Sequence, residues 1–309
     1  MIQTVTLNAA LDLTYRVARL EPRGSHRVRE VLQRPGGKGV NVARVLGALG
    51  HPTTVTGFAG GATGTVLRDL LAAEPGVTDA LTPIGGDTRR TIGVADRAAG
   101  DTTQFNEPGP HVTAAEWDRF LAEYRRVLGE CAAVALCGSL PPGLPVGAYA
   151  TLVREARGAG VPVLLDTSGE PLARGLAARP DLIKPNAPEL AGLTGSTEPL
   201  GAARTARRRG AGAVAASLGP DGMLLLTPDG GWRAAPPERL AGNPTGAGDS
   251  AVAGLLSGLA DGLPWPLRLA RAVALSAATV RAPAAGEFDE TRYRELLERT
   301  VPEELPGPA

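Results

Sequence analysis

The stretch Gly242-Asn243-Pro244-Thr245-Gly246-Ala247-Gly248-Asp249-Ser250 places three small residues directly before a lone carboxylate. Gly246, Ala247 and Gly248 let the backbone approach a ligand closely. The apolar run from Ala251 to Leu256 that follows reads as a buried helix, so free N–H groups in its first turn would face an anion. Asp249 would stand beside that anion. A carboxylate next to phosphate needs a task, and the evident one is to take a proton from a hydroxyl that attacks the phosphoryl group. The same residues also fit a tight turn opening a helix, with Asp249 as a dipole partner in its first turn, and the stretch by itself leaves both readings open.

A second glycine turn, Pro35-Gly36-Gly37-Lys38-Gly39, feeds a helix whose apolar face is Val42, Val45, Leu46 and Leu49. It is a further place where an anion could bind. Lys38 and Lys184 are the only lysines among 32 basic residues, and the five asparagines are Asn8, Asn41, Asn106, Asn186 and Asn243. All seven lie in or beside polar, turn-like stretches. In a chain that otherwise uses arginine for positive charge, a retained lysine suggests a site wanting a compact ammonium. Isoleucine is equally scarce without any sign of chemistry, so the bias is suggestive and no more.

The elements that would position these residues follow from periodicity. Ile2 to Leu7 is a strand that runs into the polar exit Asn8-Ala9-Ala10-Leu11-Asp12, where Asp12 is a candidate for a substrate hydroxyl. Leu13 to Arg34 and Arg89 to Phe105 alternate apolar and polar residues, the latter around the turn Ala99-Gly100-Asp101, and together predict one small antiparallel sheet. It is either a lid or an exposed edge hairpin. Thr113-Ala114-Ala115-Glu116 is a capping box for a helix carrying Trp117, Phe120, Leu121, Tyr124, Val127 and Leu128 on one face. Beyond it, strands Ala133 to Cys137, Val161 to Leu165, Leu182 to Lys184 and Ala213 to Ser217 alternate with helices. That order argues for a parallel sheet covered on both faces. The exits Gly138-Ser139, Asp166-Thr167-Ser168, Lys184-Pro185-Asn186 and Ser217-Leu218-Gly219 would then all open at its carboxyl edge.

Composition narrows the classes. With 309 residues, 43% of them hydrophobic, the chain can bury the core of one large domain, and neither repeats nor linkers divide it. Its 32 basic and 32 acidic residues balance, so the overall field calls for neither nucleic acid nor an anionic membrane. There is no basic leader and no apolar run long enough for a bilayer, and the expectation is a cytoplasmic protein. Cys131 and Cys137 are too few for a disulfide framework, and none of the three histidines has a metal-ligand neighbour. The phosphate-loop pattern G-x-x-x-x-G-K-[ST] is absent, because Gly37-Lys38 is followed by Gly39. The dinucleotide pattern G-x-G-x-x-G is absent as well, which argues against a dehydrogenase.

Taken together, Gly36 to Arg44 and Gly246 to Ser250 resemble the two signature regions of the ribokinase-like (PfkB) carbohydrate kinases, and the resemblance covers nearly the whole chain. Phe105 to Pro110, Gly138 to Gly143, Leu165 to Gly169 and Lys184 to Leu190 resemble the branch acting on phosphorylated ketohexoses: 1-phosphofructokinase, tagatose-6-phosphate kinase and the minor 6-phosphofructokinase. The resemblance implies an α/β fold, an αβα sandwich with a mostly parallel central sheet and a small β lid formed by about residues 13–34 and 88–106, often shared in a homodimer. It implies ATP-dependent phosphoryl transfer with Mg²⁺, with Asp249 as the base and the amides of Gly246, Ala247 and Gly248 as the anion hole. Asn186 and Glu189 match a motif associated with Mg²⁺ and phosphate, while Lys184, Ser217, Gly219 and Thr245 fall on the nucleotide side. Asp12, Gly37, Lys38, Asn41, Arg89 and Ser139 match the sugar-phosphate side, with Arg27 a weaker match there. Two residues depart from the pattern: Ala9 replaces a usual proline, and Pro244 precedes Thr245, restricting Asn243 to extended backbone.

On this resemblance the expected reaction is phosphorylation of fructose 1-phosphate to fructose 1,6-bisphosphate, the choice of an anionic acceptor resting on Lys38 and Arg89. Tagatose 6-phosphate, fructose 6-phosphate, or a neutral acceptor such as ribose or adenosine are the alternatives among enzymes. A non-catalytic sensor of sugar phosphate or nucleotide is the alternative outside them.

Overall fold

The computed structural model describes residues 1–240, 242–282 and 284–306. From the N-terminus the chain runs through strands β1 (Ile2–Thr6), β2 (Ala10–Val17) and β3 (Val31–Gly36), helix α1 (Lys38–Ala48), β4 (Thr53–Gly60), α2 (Gly61–Ala72), β5 (Val77–Ile84), β6 (Arg89–Asp96) and β7 (Asp101–Asn106). Next come α3 (Ala114–Leu128), β8 (Ala133–Cys137), α4 (Ala148–Gly158), β9 (Val163–Asp166), α5 (Gly169–Leu176), β10 (Leu182–Ile183), α6 (Ala187–Thr194), α7 (Pro199–Arg208) and β11 (Ala213–Ser217). The chain closes with β12 (Met223–Leu226), β13 (Gly231–Ala234), α8 (Ala247–Ala260), α9 (Trp265–Thr279), α10 (Glu290–Arg299) and β14 (Glu303–Glu304).

Ten strands make one sheet in the order β14-β13-β12-β11-β10-β9-β8-β1-β4-β5. From β11 to β5 every pairing is parallel, and β12, β13 and β14 extend it antiparallel. The parallel strands are apolar on both sides because helices cover both faces. Val134 and Leu136 of β8 and Val163 and Leu165 of β9 point into one cluster with Phe120, Tyr124 and Leu152 of α3 and α4. Ala133, Ala135 and Cys137 of β8 and Ala213 and Ala215 of β11 face the opposite cluster, with Val252 and Leu255 of α8 and Leu269 of α9. That second face is built from small side chains, so α8 can approach the sheet closely. It also lies close to α9, since a methyl group at Gly254 would come within 2.6 Å of the Ala272 Cα. Thr113 caps α3 as its sequence predicts, with Thr113 Oγ1 accepting from the Glu116 amide and Glu116 returning the bond to the Thr113 amide. Both cysteines are free thiols.

The other four strands form a small sheet in the order β3-β2-β6-β7. It differs in two respects from an antiparallel sheet of residues 13–34 and 88–106. The hairpins β2–β3 and β6–β7 are antiparallel, but they join along a parallel seam between β2 and β6. The reason is connectivity: β2 follows β1 and β6 follows β5, so both leave the carboxyl edge of the large sheet in the same direction. The second difference is that β2 already begins at Ala10, which makes Asp12 a strand residue and not part of a loop.

Register then fixes which side chains share a face. Asp12 lies opposite Arg34 and beside Thr91, which lies opposite Asn106, so these four form one polar row. One residue along, Leu13, Gln33, Ile92 and Phe105 form a row on the other face, and Tyr15, Val31 and Val94 continue it. Phe105 is 58% exposed and Val31 48%. Among the described residues, no helix is long and apolar enough to cross a membrane.

Candidate active site

A cavity of about 840 Å³ opens where the carboxyl edge of the large sheet meets the polar face of the small one. It gathers residues from both ends of the chain. Asp12, Gly37, Lys38, Asn41 and Arg89 line it on the side of the small sheet, and Lys184, Asn186, Glu189, Ser217 and Gly219 on the other. Thr245, Gly246, Ala247, Gly248 and Asp249 form its floor. Ser139 stands apart, exposed and outside the lining, where its hydroxyl accepts a 3.1 Å bond from Asn8 Nδ2. Arg27 lies in the exposed connection between β2 and β3, away from the cavity.

The floor is the N-terminus of α8. Asn243 Oδ1 accepts from the Thr245 amide at 3.0 Å and tightens the turn, and Gly246 enters the helix at φ 85°, a left-handed conformation natural to glycine. The Ala247 amide donates to the Pro244 carbonyl at 3.1 Å, so the donors left for an anion are the other first-turn amides, those of Gly248 and Asp249 foremost. The Asp249 carboxylate is buried and takes one hydrogen bond, from Asn41 Nδ2 to Oδ2 at 2.8 Å. Burial, then the nearby Asp166 carboxylate, push its pKa up to about 6, while Lys38, the Asn41 bond and Lys184 pull it back.

Asp166, at the end of β9, is the residue that holds the centre together. Its buried Oδ1 lies 3.4 Å from Lys38 Nζ and 3.6 Å from Lys184 Nζ. Its Oδ2 is buried with no hydrogen-bond partner among the described residues. Burial would lower the pKa of the Lys38 ammonium, but Asp166, Asp249 and Glu189 outweigh it and hold it above its ordinary value. Lys184 Nζ stands 3.5 Å from where a methyl group on Gly248 would lie, so the ammonium sits over the first turn of α8. Asn186 and Glu189 cap α6 reciprocally: Asn186 Oδ1 accepts from the Glu189 amide at 2.8 Å, and Glu189 Oε2 from the Asn186 amide at 2.9 Å. Asn186 thereby holds Glu189 in place, and the second carboxylate oxygen of Glu189 is left for a ligand.

On the side of the small sheet, Arg89 is anchored to the backbone, donating to the carbonyls of Asn8 (3.1 Å) and Glu107 (3.3 Å). Burial raises the pKa of Asp12 to about 6 against the hydroxyl of Thr91 and the charges of Arg89 and Arg44. Gly36 faces Asp12 so closely that any side chain there would overlap its carboxyl group. Asp166, Thr91 and Asn106 line the cavity without having been predicted to bind a ligand. For Asp166 the signal was present, since it occupies the same strand-exit position as Lys184. The apolar wall from α9 and its C-cap, Val273, Ala277 and Val280, looks in sequence like any core helix.

A buried carboxylate beside a helix N-terminus, with two ammonium groups at the same edge of an αβα sandwich, is an arrangement able to bind a phosphate and take up a proton. The sequence matches the model of the pfkB family of carbohydrate kinases over residues 5–292. The chain is 39% identical over 284 residues to the 1-phosphofructokinase of Rhodobacter capsulatus, covering 89% of this chain and 90% of that one. It is 38% identical over 269 residues to the 1-phosphofructokinase of Xanthomonas campestris pv. campestris, covering 84% of each. Solved structures of phosphofructokinase-2 from Escherichia coli, one in complex with fructose-6-phosphate and one of a tetrameric inhibited form, superpose with a TM-score of 0.87 at 29% identity, covering 96% of this chain and 98% of those. The chain therefore belongs to the pfkB family of carbohydrate kinases and, with it, to the ATP-dependent sugar-phosphate kinases.

Two outcomes follow from this geometry. If Asp249 must be ionised to act, kcat/KM for the acceptor falls as pH drops through about 6 with a limiting slope of about one on a logarithmic plot. If Asp12 must also be ionised to bind, the fall is steeper, with a slope of about two. A kcat/KM that is flat from pH 5 to 8 would remove both carboxylates from the reaction. Gly36→Ala should displace the Asp12 carboxyl and raise KM for the acceptor about tenfold, with KM for ATP and thermal stability little changed. An unchanged acceptor KM would show that Asp12 does not touch the acceptor.

Proposed function

We propose that this protein transfers the γ-phosphoryl group of ATP to the 6-hydroxyl of fructose 1-phosphate, giving fructose 1,6-bisphosphate. The observation that carries the reading is the pairing of Asp249, buried and raised toward neutrality, with the amides that open α8. Asp249 accepts the hydroxyl proton as the oxygen attacks phosphorus, and the first-turn amides with Lys184 stabilise charge on the transferring group. Asp166 spaces the two ammonium groups, Lys184 toward the nucleotide and Lys38 toward the transferring phosphate and the acceptor. Lys38 and Arg89 supply the positive charge that a phosphorylated acceptor needs and a neutral sugar would not. Ser217, Gly219 and Thr245 border the nucleotide.

The residues fit Mg²⁺. Glu189 has a free carboxylate oxygen and Asp166 an unpartnered buried one, both hard donors on the cavity wall. Among the described residues there is no cluster of three or more metal-ligating side chains. This suits a cation bound through one or two carboxylates, water and substrate phosphates. Glu189, positioned by Asn186, and Asp166 would hold the ion, which supplies charge neutralisation on the β- and γ-phosphates. A cytoplasmic location accords with these substrates.

The test is a coupled ADP-release assay over fructose 1-phosphate, fructose 6-phosphate, tagatose 6-phosphate, free fructose, ribose and adenosine. Fructose 1-phosphate should give the highest kcat/KM, and Asp249→Asn should lower kcat by ~10²–10⁴ while ATP still binds. Preference for fructose 6-phosphate or tagatose 6-phosphate would reassign the acceptor within the branch. A higher kcat/KM for a neutral sugar or for adenosine would overturn the anionic-acceptor reading, and ATP binding without turnover on any acceptor would make the protein a sensor.

The small sheet is the lid in this reading, and its outward apolar row is the surface we propose to pair with a second copy of the chain. Period-two alternation places Asp12 and Thr91 on the cavity and Leu13, Ile92 and Phe105 on the far side, where Phe105 is left exposed among the described residues. Phe105→Asp should convert a homodimer to monomer in light scattering and weaken acceptor binding. A wild-type monomer at micromolar concentration would dismiss the pairing.

A further inference from the structure

Glu287 lies in the connection between α9 and α10, outside the cavity lining, yet a single carboxylate oxygen serves two elements of the site. Glu287 Oε1 accepts from Arg34 Nε of β3 at 3.1 Å and from Arg44 Nη2 of α1 at 3.0 Å. Arg34 belongs to the lid, directly opposite Asp12 in the ladder. Arg44 is almost wholly buried, its side chain 6% exposed, and its guanidinium also donates to Glu74 Oε1 at 2.7 Å and to the Ala285 carbonyl at 2.8 Å.

The segment that carries Glu287 supports the phosphoryl hole. A methyl group at Gly246 would come within 2.8 Å of Ala285, so Ala285 sits directly against the residue that starts α8. Gly286, at φ 77°, threads between Arg44 and Asn41: a methyl group there would lie 2.7 Å from Arg44 Nη1 and 3.2 Å from Asn41 Oδ1. Asn41 in turn donates the hydrogen bond that orients Asp249. A continuous path of contacts thus leads from the lid through Arg34 and Glu287 to Gly246 on one branch and to Asn41 and Asp249 on the other.

We infer that Glu287 is a positioning residue, which couples the seating of the lid on the acceptor to the placement of the Gly246 hole and the Asp249 base. The coupling deepens the kinase reading and rests on it, since turnover is its readout. Charge matters in it: with Arg34 docked, Glu287 is held by two guanidiniums on one oxygen, and with Arg34 released it is held by Arg44 of α1. Both members of the Arg34–Glu287 pair are about one-third exposed, and Arg34 has no part in the core.

A double-mutant cycle with Arg34→Gln and Glu287→Gln tests it, using the acceptor with the highest kcat/KM in the panel. Each single variant should lower kcat about tenfold, as misplacement by a fraction of an ångström does, with KM for ATP unchanged. The double variant should be no slower than the slower single, because both remove one link. Thermal unfolding of Arg34→Gln should stay near the wild type, which separates positioning from loss of fold. Two results would overturn the inference: kcat unchanged in Arg34→Gln, or losses that multiply in the double variant. A change of preferred acceptor would revise the proposed function and leave the cycle as decisive as before.

Discussion

One buried carboxylate facing two ammonium groups anchors the cavity edge of this fold. Asp166 lies within reach of both Lys38 and Lys184 and, with Asp249 and Glu189 nearby, balances their charge at the carboxyl edge of the sheet. Low local polarity strengthens these interactions and makes any buried charge left without a partner costly. The same arrangement sets the protonation states on either side. Asp166 adds to the burial that raises Asp249, while holding Lys38 charged against the burial that would discharge it.

Packing brings these groups within reach of one another. The alanines of β8 and β11 lower the sheet surface on one side, and the glycine and alanine of α8 lower the helix surface, so the helix start is carried to the edge where Lys184 ends its strand. A larger side chain at Gly248 would meet the Lys184 ammonium, and one at Gly254 would meet α9. Small residues that look like permissive filler in sequence are what place backbone amides beside a buried cation.

Much of this was legible in the sequence because parallel strands buried on both faces are nearly continuous apolar runs, and because each ends in a polar exit. The exits that begin at Asp166, Lys184 and Ser217 all reach the cavity. What was harder to read depended on contacts across the chain. Asp12 looks like a loop residue, and only its pairing with Arg34 and the bare backbone of Gly36 make it a strand residue. Ser139 has the right type and place in sequence, but Asn8 ties its hydroxyl to the loop of Pro108. The hairpin of β12 and β13 is two four-residue strands, too short for periodicity to show, although the Pro-Asp-Gly-Gly turn between them marks it. Glu287 has no local signature at all, since its partners are contributed by β3 and α1.

The small sheet shows how one pattern can carry two functions. Alternation with period two sends Asp12, Thr91 and Asn106 inward and Leu13, Ile92 and Phe105 outward along the same strands. A strand cannot shift on one face without shifting on the other, because a slip of one residue exchanges the two sets. Whatever covers the outer row therefore fixes the register of the inner row, and whatever binds the inner row steadies the outer one. By linkage the two events must strengthen each other to the same extent. Arg34 lies in the inner row, so its ion pair to Glu287 ties the segment packed against Gly246 to the same register.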